Sequence, residues 1–284
     1  MSFNRRVLLD RVGMAARTQE EKTAKLVGSG YRRRMTARGI LSGFAVATAF
    51  FTRIPVATPA CRSESLAEAA WAFPLVGAGI GGVAAFAFLM VQLLGLGDWL
   101  AGVFAVLAGV VLTGALHEDG FADAADGLIG GHDRDERLAI MRDSRHGTFG
   151  VLAIVLSVLL RAAALARIGE AVYAGLALIA AHAASRSLLP LAMRALASAR
   201  ADGLGATAGR PRTPPATAAL VIGLLVTLAA LGPARGAIAF GLAGASISTL
   251  GMLARRRIGG YTGDVLGAFE QIGEIVMLLT AAGQ

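Results

Sequence analysis

Long apolar stretches of the chain alternate with short polar segments. Seven stretches are close to the ~20 residues that a membrane-spanning helix needs. They are 71–94, 99–116, 148–166, 171–194, 216–232, 236–254 and 265–283. The pattern therefore predicts an all-α fold, a polytopic integral membrane helical bundle with about seven full spans.

An eighth apolar stretch, 39–56, is shorter and ends at a proline, Pro55. Proline disfavours helical geometry in the residue before it, so a helix should stop there. Along the chain, basic connections alternate with nearly neutral ones. The basic connections all fall on one side of the membrane only if this stretch does not cross it fully. We therefore expect a re-entrant or interfacial N-terminal helix.

Composition and charge support a membrane location. Apolar residues make up 55% of the 284 residues and charged residues only 16%, and the apolar residues fall in long blocks, which disfavours the alternative of a water-soluble helical fold. Basic residues cluster in 1–38, 134–145, 194–212 and 255–257, and the positive-inside rule places these regions in the cytoplasm. We expect 1–38 to be a basic, disordered arm and 39–284 to be the membrane domain.

Carboxylates concentrate in an acidic segment between the second and third spans. Asp119, Asp123 and Asp126 are spaced i, i+4, i+7, which places them on one face of a helix. Three carboxylates on one face repel one another unless a cation lies among them, and Mg²⁺ prefers such oxygens. The alternative is a solvated acidic surface. Glu118 and His117 precede the cluster, and His117 is either a base, a ligand or a structural group.

Arginines beside glycines follow at 141–150. Arg142 and Arg145 precede a helix start, where guanidinium groups and free amides suit phosphate. The alternative is a basic loop that obeys the positive-inside rule.

The last span begins at a glycine-rich turn with Asp264 and carries Glu270 and Glu274 within it. Charges inside a span usually have partners. Arg186 and His182 lie at similar depth in another span, so the two helices should meet and bring Asp264 toward the acidic segment.

Five segments together resemble the cobalamin synthase, or adenosylcobinamide-GDP ribazoletransferase, family. They are FTRIPV at 51–56, FPLVG at 73–77, HEDGFADAADG at 117–127, MRDSRHGTFG at 141–150 and the segment 260–274. The resemblance covers about 40–283. It implies a Mg²⁺-dependent enzyme of the cytoplasmic (inner) membrane that joins adenosylcobinamide-GDP to α-ribazole or its 5′-phosphate and releases GMP.

The resemblance implies a cytoplasmic active-site loop, 117–147, and gives roles to candidate residues in this loop and outside it. The metal ligands would be Asp119, Asp123 and Asp126, and the phosphate-binding residues would be Arg53, Arg142 and Arg145. The base would be Asp143, Asp264 or His117. Supporting roles fall to the residues Glu118, Arg186, Glu270 and Glu274.

The expected partners are the two substrates and membrane lipids, with no nucleic acid, and a homo-oligomer or pathway complex is left open. Competing functions are a CDP-alcohol phosphatidyltransferase, an aromatic prenyltransferase, a transporter and a non-catalytic scaffold. The first lacks its usual arginine after Asp123-Ala124. A transporter would place its charges near the midplane and often shows two related halves.

Overall fold

The computed structural model describes residues 37–56, 65–143 and 145–283. The chain divides into two units, 1–40 and 41–284, and the helical bundle described below belongs to the second unit. Of the predicted basic arm, 1–38, nearly all lies outside the described residues.

The described chain is mostly helical. Its α-helices are α1 (Ala37–Phe51), α2 (Phe73–Leu93), α3 (Asp98–Thr113), α4 (Leu116–Ala125), α5 (Arg134–Ile140), α6 (Thr148–Ile168), α7 (Ala171–Ala195), α8 (Leu204–Thr207), α9 (Thr213–Leu231), α10 (Pro233–Ile258) and α11 (Gly263–Ala282). A 3₁₀ turn, Ala69–Ala72, precedes α2, and a π turn, Asp126–Gly130, follows α4. No sheet strand occurs in these residues, which confirms the all-α prediction.

Each of the seven predicted spans corresponds to one helix. By length and hydropathy, α2, α6, α7, α9, α10 and α11 can each cross a membrane. The seventh, α3, has 16 residues, or about 24 Å, and the chain then bends by 94° into α4. The apolar helix α1 is too short to cross. A polytopic membrane bundle is therefore confirmed.

Glycines allow the two most extensively packed helices, α2 and α7, to approach closely. A Cβ added at Gly77 would lie 2.2 Å from the His182 carbonyl oxygen, and one at Gly81 would lie 2.6 Å from that of Leu178. Small residues four apart are a common means of bringing two membrane helices into backbone contact. The same contact fixes the depth of α7, which carries two buried ionisable side chains, His182 and Arg186.

The basic connections that the structure describes lie at one end of the bundle, which we call the basic end (114–147, 196–212 and 259–262). The Arg134 guanidinium donates to the carbonyls of Ile258 and Ala199, at 3.2 and 2.8 Å. Arg200 donates to Leu138 O at 2.5 Å. At the other end, Gln92 joins two further connections by donating to Asp98, at 2.7 Å, and to Gly169 O. At the basic end, the hydrogen bonds of Arg134 and Arg200 thus join three segments that are distant in sequence into one polar surface.

Candidate active site at the basic end

A sharp bend starts the acidic segment. Gly114 and Ala115 both adopt left-handed backbone conformations, with φ of 67° and 59°. Such values are uncommon for alanine, and they turn the chain out of α3 into α4. The Arg53 amide donates to Leu112 O at 2.8 Å, and a Cβ at Gly114 would lie 2.1 Å from Arg53 Nε. Arg53 therefore packs against the bend, and its phosphate-binding role stays a prediction.

Helix α4 packs on the start of α11. A Cβ added at Gly120 would lie 3.1 Å from the Asp264 Cα, and one at Gly267 would lie 3.1 Å from His117 O. Larger side chains at these positions would separate the two helices. The prediction that Asp264 approaches the acidic segment is confirmed.

Three carboxylates, a histidine and an arginine meet there, and we call them the surface cluster (Asp119, Asp123, His146, Arg200 and Asp264). The imidazole of His146 lies 3.6 Å from Asp123 Oδ1 and 4.0 Å from Asp119 Oδ1. Arg200 Nη1 lies 3.7 Å from Asp264 Oδ2, which also accepts from the Thr262 hydroxyl at 3.1 Å. Partial burial, together with nearby Asp119 and Asp264, raises the pKa of Asp123 to about 6.

Sequence reasoning assigned no role to His146 or Arg200. His146 stands within the segment 141–150 that the family resemblance singles out, and this position was a usable signal. Arg200 could not have been singled out, because nothing in the sequence separates it from the other arginines of 194–212.

Asp126 has a different environment from the other two aspartates. Its carboxylate accepts from the amides of Gly147 and Gly150, at 2.6 and 2.9 Å. Both amides belong to the N-terminus of α6, where a carboxylate satisfies free donors and the helix dipole. The side chain is buried. The metal-binding role of Asp126 stays a prediction, and both of its carboxylate oxygens already accept hydrogen bonds from backbone amides.

Arg142 and Arg145 each pair with an exposed carboxylate. Arg142 Nη2 lies 2.7 Å from both oxygens of Asp202, and Arg145 Nη2 lies 2.6 Å from Asp143 Oδ2. Hydrogen bonds from Arg145 lower the pKa of Asp143 to about 2. Surface ion pairs of this kind contribute little energy, so a phosphate group could replace the carboxylates.

A buried ion network lies beneath the surface cluster. Arg186 binds Glu270 at 2.6 Å, and Arg161 binds Glu274 and Glu118 at 3.1 and 3.2 Å. The predicted meeting of α7 and α11 is confirmed, since His182 also lies 3.1 Å from Glu274. Arg161 was missed, although a charged residue inside an apolar span is itself a signal of a buried partner.

One buried set of side chains has metal-like spacing. In the described part of the chain, only His182, Glu270 and Glu274 place ligand atoms of three such residues within 4.8 Å of one another. Arg161 and Arg186 already pair with these carboxylates, and a divalent cation would be repelled by both guanidinium groups. The chemistry of the surroundings thus favours a structural ion network at this position.

His117 connects this network to the basic end. Its Nδ1 lies 3.4 Å from Arg186 Nη2 and 3.8 Å from Glu270 Oε2, and its ring stacks on Phe51 with centroids 5.7 Å apart. The side chain is buried. Because Arg186 can only donate, Nδ1 is an acceptor in this contact.

Comparison with known proteins places these features in a family. Residues 43–282 match the model of the cobalamin-5-phosphate synthase family. The chain belongs to this family. The adenosylcobinamide-GDP ribazoletransferase of Bradyrhizobium diazoefficiens is 44% identical over 248 residues, which cover 87% of this chain and 95% of the relative. That of Mesorhizobium japonicum is 41% identical with the same coverage.

A third relative, the adenosylcobinamide-GDP ribazoletransferase of Xanthobacter autotrophicus, is 44% identical over 264 residues, covering 84% of this chain and 95% of the relative. No solved structure matches the chain. The predicted family is confirmed, and the protein is a multi-pass membrane transferase of cobalamin synthesis.

Proposed function

We propose that the protein transfers the adenosylcobinamide-phosphate group of adenosylcobinamide-GDP to the 3′-hydroxyl of α-ribazole or α-ribazole 5′-phosphate. The products are GMP and adenosylcobalamin or its phosphate. The names of the relatives and of the family support these substrates. The observation that carries the proposal is the surface cluster, where carboxylates, an imidazole and a guanidinium group from three distant segments meet.

The reaction exchanges one phosphorus–oxygen bond for another. The ribazole 3′-oxygen attacks the phosphorus that bears the cobinamide, and the bond from that phosphorus to the bridging oxygen breaks. GMP leaves with the bonding electron pair, and the hydroxyl proton goes to a base on the protein.

Asp264 is the best-placed of the three candidate bases. It is part of the surface cluster, and the Thr262 hydroxyl orients its Oδ2. Asp143 is a weak base, because its pKa is about 2 beside Arg145. His117 is buried, and its Nδ1 accepts from Arg186. Its proton therefore lies on Nε2, so neither ring nitrogen is free to take the hydroxyl proton.

Mg²⁺ suits the surface cluster. Asp119 and Asp123 offer hard oxygen ligands, and the raised pKa of Asp123 reflects its partial burial and the neighbouring carboxylates. Bound Mg²⁺ would screen the diphosphate and stabilise charge on the leaving GMP. Arg142, Arg145 and Arg53 would bind the remaining phosphate oxygens.

The basic end faces the cytoplasm in this proposal, and the membrane is the cytoplasmic (inner) membrane. The arginines of the basic end support the orientation through the positive-inside rule. Nucleotide-activated substrates are water-soluble anions, so an active site on that side is open to them.

The test is GMP release by the purified protein in nanodiscs. GMP should appear only when adenosylcobinamide-GDP, an α-ribazole acceptor and Mg²⁺ are all present, with a complete corrinoid formed in equal amount. Release of GMP without an acceptor would indicate a hydrolase, and a monodisperse sample that released none with either acceptor would contradict the proposal.

A further inference from the structure

A second cavity at the basic end has no part in the chemistry above. Its volume is about 440 Å³, and it lies between the segment 193–210 and the end of α10. Arg210, Arg255, Ser198 and Tyr261 contribute polar side chains to its wall, and none of the surface cluster residues lines it. The volume is within the range of small-molecule sites, about 300–1,000 Å³.

Closely packed backbone separates this cavity from the surface cluster. A Cβ added at Gly205 would lie 2.9 Å from the Gly263 amide nitrogen, and one added at Gly260 would overlap the Ala197 carbonyl group. A molecule in the cavity therefore cannot reach Asp264 through this wall. The occupant of the cavity must be something other than a group that reacts at the surface cluster.

The wall of the cavity is positively charged and carries no opposing acid. Its lining includes two arginines but no carboxylate or amide side chain. Arg210 is held in place by a hydrogen bond to Arg194 O at 2.5 Å. The Arg255 side chain is exposed, and its guanidinium makes no hydrogen bond or ion pair with any residue that the structure describes. Guanidinium groups match the oxygens of a phosphate group, so the wall is suited to a phosphate-bearing anion.

The arginine run at the end of α10 has a simpler explanation that covers only part of it. Arg255, Arg256 and Arg257 all complement the helix C-terminus and obey the positive-inside rule. Arg257 also donates to the Leu128 carbonyl and so fastens the π turn. Of the three arginines, only Arg255 lines the cavity.

The length of α10 places the cavity at the level of lipid headgroups. The helix has 26 residues and is about 39 Å long, or about 37 Å along the membrane normal at a tilt of about 20°. The hydrocarbon core of a bilayer is only about 30 Å thick. The ends of α10 therefore extend into the headgroup layers. Arg255 belongs to its last turn, and its long side chain can reach the phosphates there.

An exposed apolar surface leads along the helices to the cavity. Leu191 and Met252 lie one turn before the lining residues of α7 and α10, on the same helix faces. Their side chains are 46% and 55% exposed, and on a membrane span such side chains face acyl chains. The two helices are in contact here, since a Cβ added at Gly251 would lie 3.3 Å from Leu196 Cδ1. A phospholipid would use both the charged wall and this surface, whereas a free phosphate would use only the wall.

We propose that Arg210 and Arg255 bind the phosphate group of an anionic phospholipid, whose acyl chains lie along Leu191 and Met252. A zwitterionic headgroup fits less well, because it brings an ammonium group to a wall with two cations and no carboxylate. The site is independent of the proposed reaction. Because Tyr261 also lines the cavity, the bound lipid packs against the turn that starts α11.

The test measures lipid binding to the whole protein after delipidation in mild detergent. Native mass spectrometry follows titrations with phosphatidylglycerol and with phosphatidylcholine and gives the Kd of the tightest-bound lipid. The wild type should bind phosphatidylglycerol more tightly. Arg210→Ala and Arg255→Ala should each weaken this binding about ten- to hundredfold, the scale of one charge-assisted hydrogen bond. Arg255→Lys, which keeps the charge, should recover part of the loss.

The matched control is Arg256→Ala, which removes the same charge from an exposed neighbour outside the cavity. It should keep the wild-type Kd for phosphatidylglycerol. An equal loss in Arg256→Ala would overturn the site, because the loss would then reflect net charge alone. Wild-type affinity in both folded variants, Arg210→Ala and Arg255→Ala, would also overturn it.

A last measurement distinguishes a lipid from a soluble ligand. Equilibrium dialysis tests whether inorganic phosphate binds to the protein in phosphatidylcholine nanodiscs. Phosphate binding that is lost in Arg255→Ala, without any preference for phosphatidylglycerol in the titrations, would assign the cavity to a soluble phosphate and overturn the lipid site. All of these readouts are binding constants, so a protein that released no GMP would contradict the proposed function and leave this test in force.

Discussion

Three aspartates of one short motif lie in two different environments. Asp119 and Asp123 contact His146 at the surface, whereas Asp126 accepts from the amides at the start of α6. The i, i+4, i+7 spacing correctly predicts a helix. It cannot reveal that the chain folds back at Gly147, and that fold-back provides Asp126 with two backbone donors. In the proposed function, the motif therefore combines carboxylates of the surface cluster with one that caps a helix.

Asp123→Asn should lower turnover at least about 100-fold, the scale of losing one group that stabilises transition-state charge. The amide is a poorer Mg²⁺ ligand, so the Mg²⁺ concentration for half-maximal GMP release should also rise. Asp135→Asn, which changes an exposed carboxylate on α5, is the matched control and should behave as the wild type. Full turnover in folded Asp123→Asn would remove this residue from the metal site.

Asp126→Asn should chiefly lower stability. The amide replaces one of two acceptor oxygens with a donor that faces a backbone N–H, at a cost of about 1–3 kcal/mol. The measurement is thermal unfolding in detergent, followed by the Mg²⁺ dependence of whatever activity is left. Wild-type stability together with an altered Mg²⁺ dependence would mean that Asp126 is a ligand.

The pH behaviour of Asp143 separates it from the catalytic groups. Its pKa of about 2 is below the ordinary value, so its ion pair with Arg145 is present above the ordinary pKa and is lost only as the pH falls toward 2. Asp143 thus stays ionised throughout pH 5–9. Asp143→Asn should leave the acid limb of kcat/KM in place, and a shift of that limb would restore Asp143 as the base.

At the scale of elements, the buried network explains how α4, α6, α7 and α11 hold the surface cluster in place. The depths of Glu270, Glu274, His182 and Arg186 could be read from the sequence, because helical rise is constant and buried charges require partners. The partner on α6, Arg161, follows from the same rule. The approach of Arg200 to Asp264 could not be predicted, since it depends on how a long irregular connection folds.

Arg161→Met should destabilise the bundle by about 3–5 kcal/mol, because it leaves Glu118 and Glu274 buried without their cation. The measurement is the melting temperature, together with the yield of monodisperse protein. The double variant Arg161→Met with Glu274→Gln should be less destabilised than the sum of the single variants. Additive effects would indicate that the two side chains do not interact.

At the scale of the whole molecule, the six helices long enough to cross the membrane and the basic end follow from elementary rules. Hydropathy locates the spans, and the shared position of 134–145, 194–212 and 255–257 at one end agrees with their common charge. Hydropathy does not indicate the 94° bend after α3. That bend depends on two consecutive left-handed residues, of which only Gly114 is of a type that favours such a conformation.

The orientation of the protein in the membrane decides which compartment supplies the substrates. In a background with Cys61 replaced by serine, Asp135→Cys places a thiol at the basic end and Glu170→Cys places one at the opposite end. A membrane-impermeant thiol reagent should label Glu170→Cys in intact cells and Asp135→Cys only after the membrane is opened, because basic connections stay in the cytoplasm. A reporter after Gln284 should likewise read as external, since α11 starts at the basic end and is the last span. The reverse labelling pattern would place the surface cluster outside the cell, where a water-soluble nucleotide-activated substrate from the cytoplasm could not reach it.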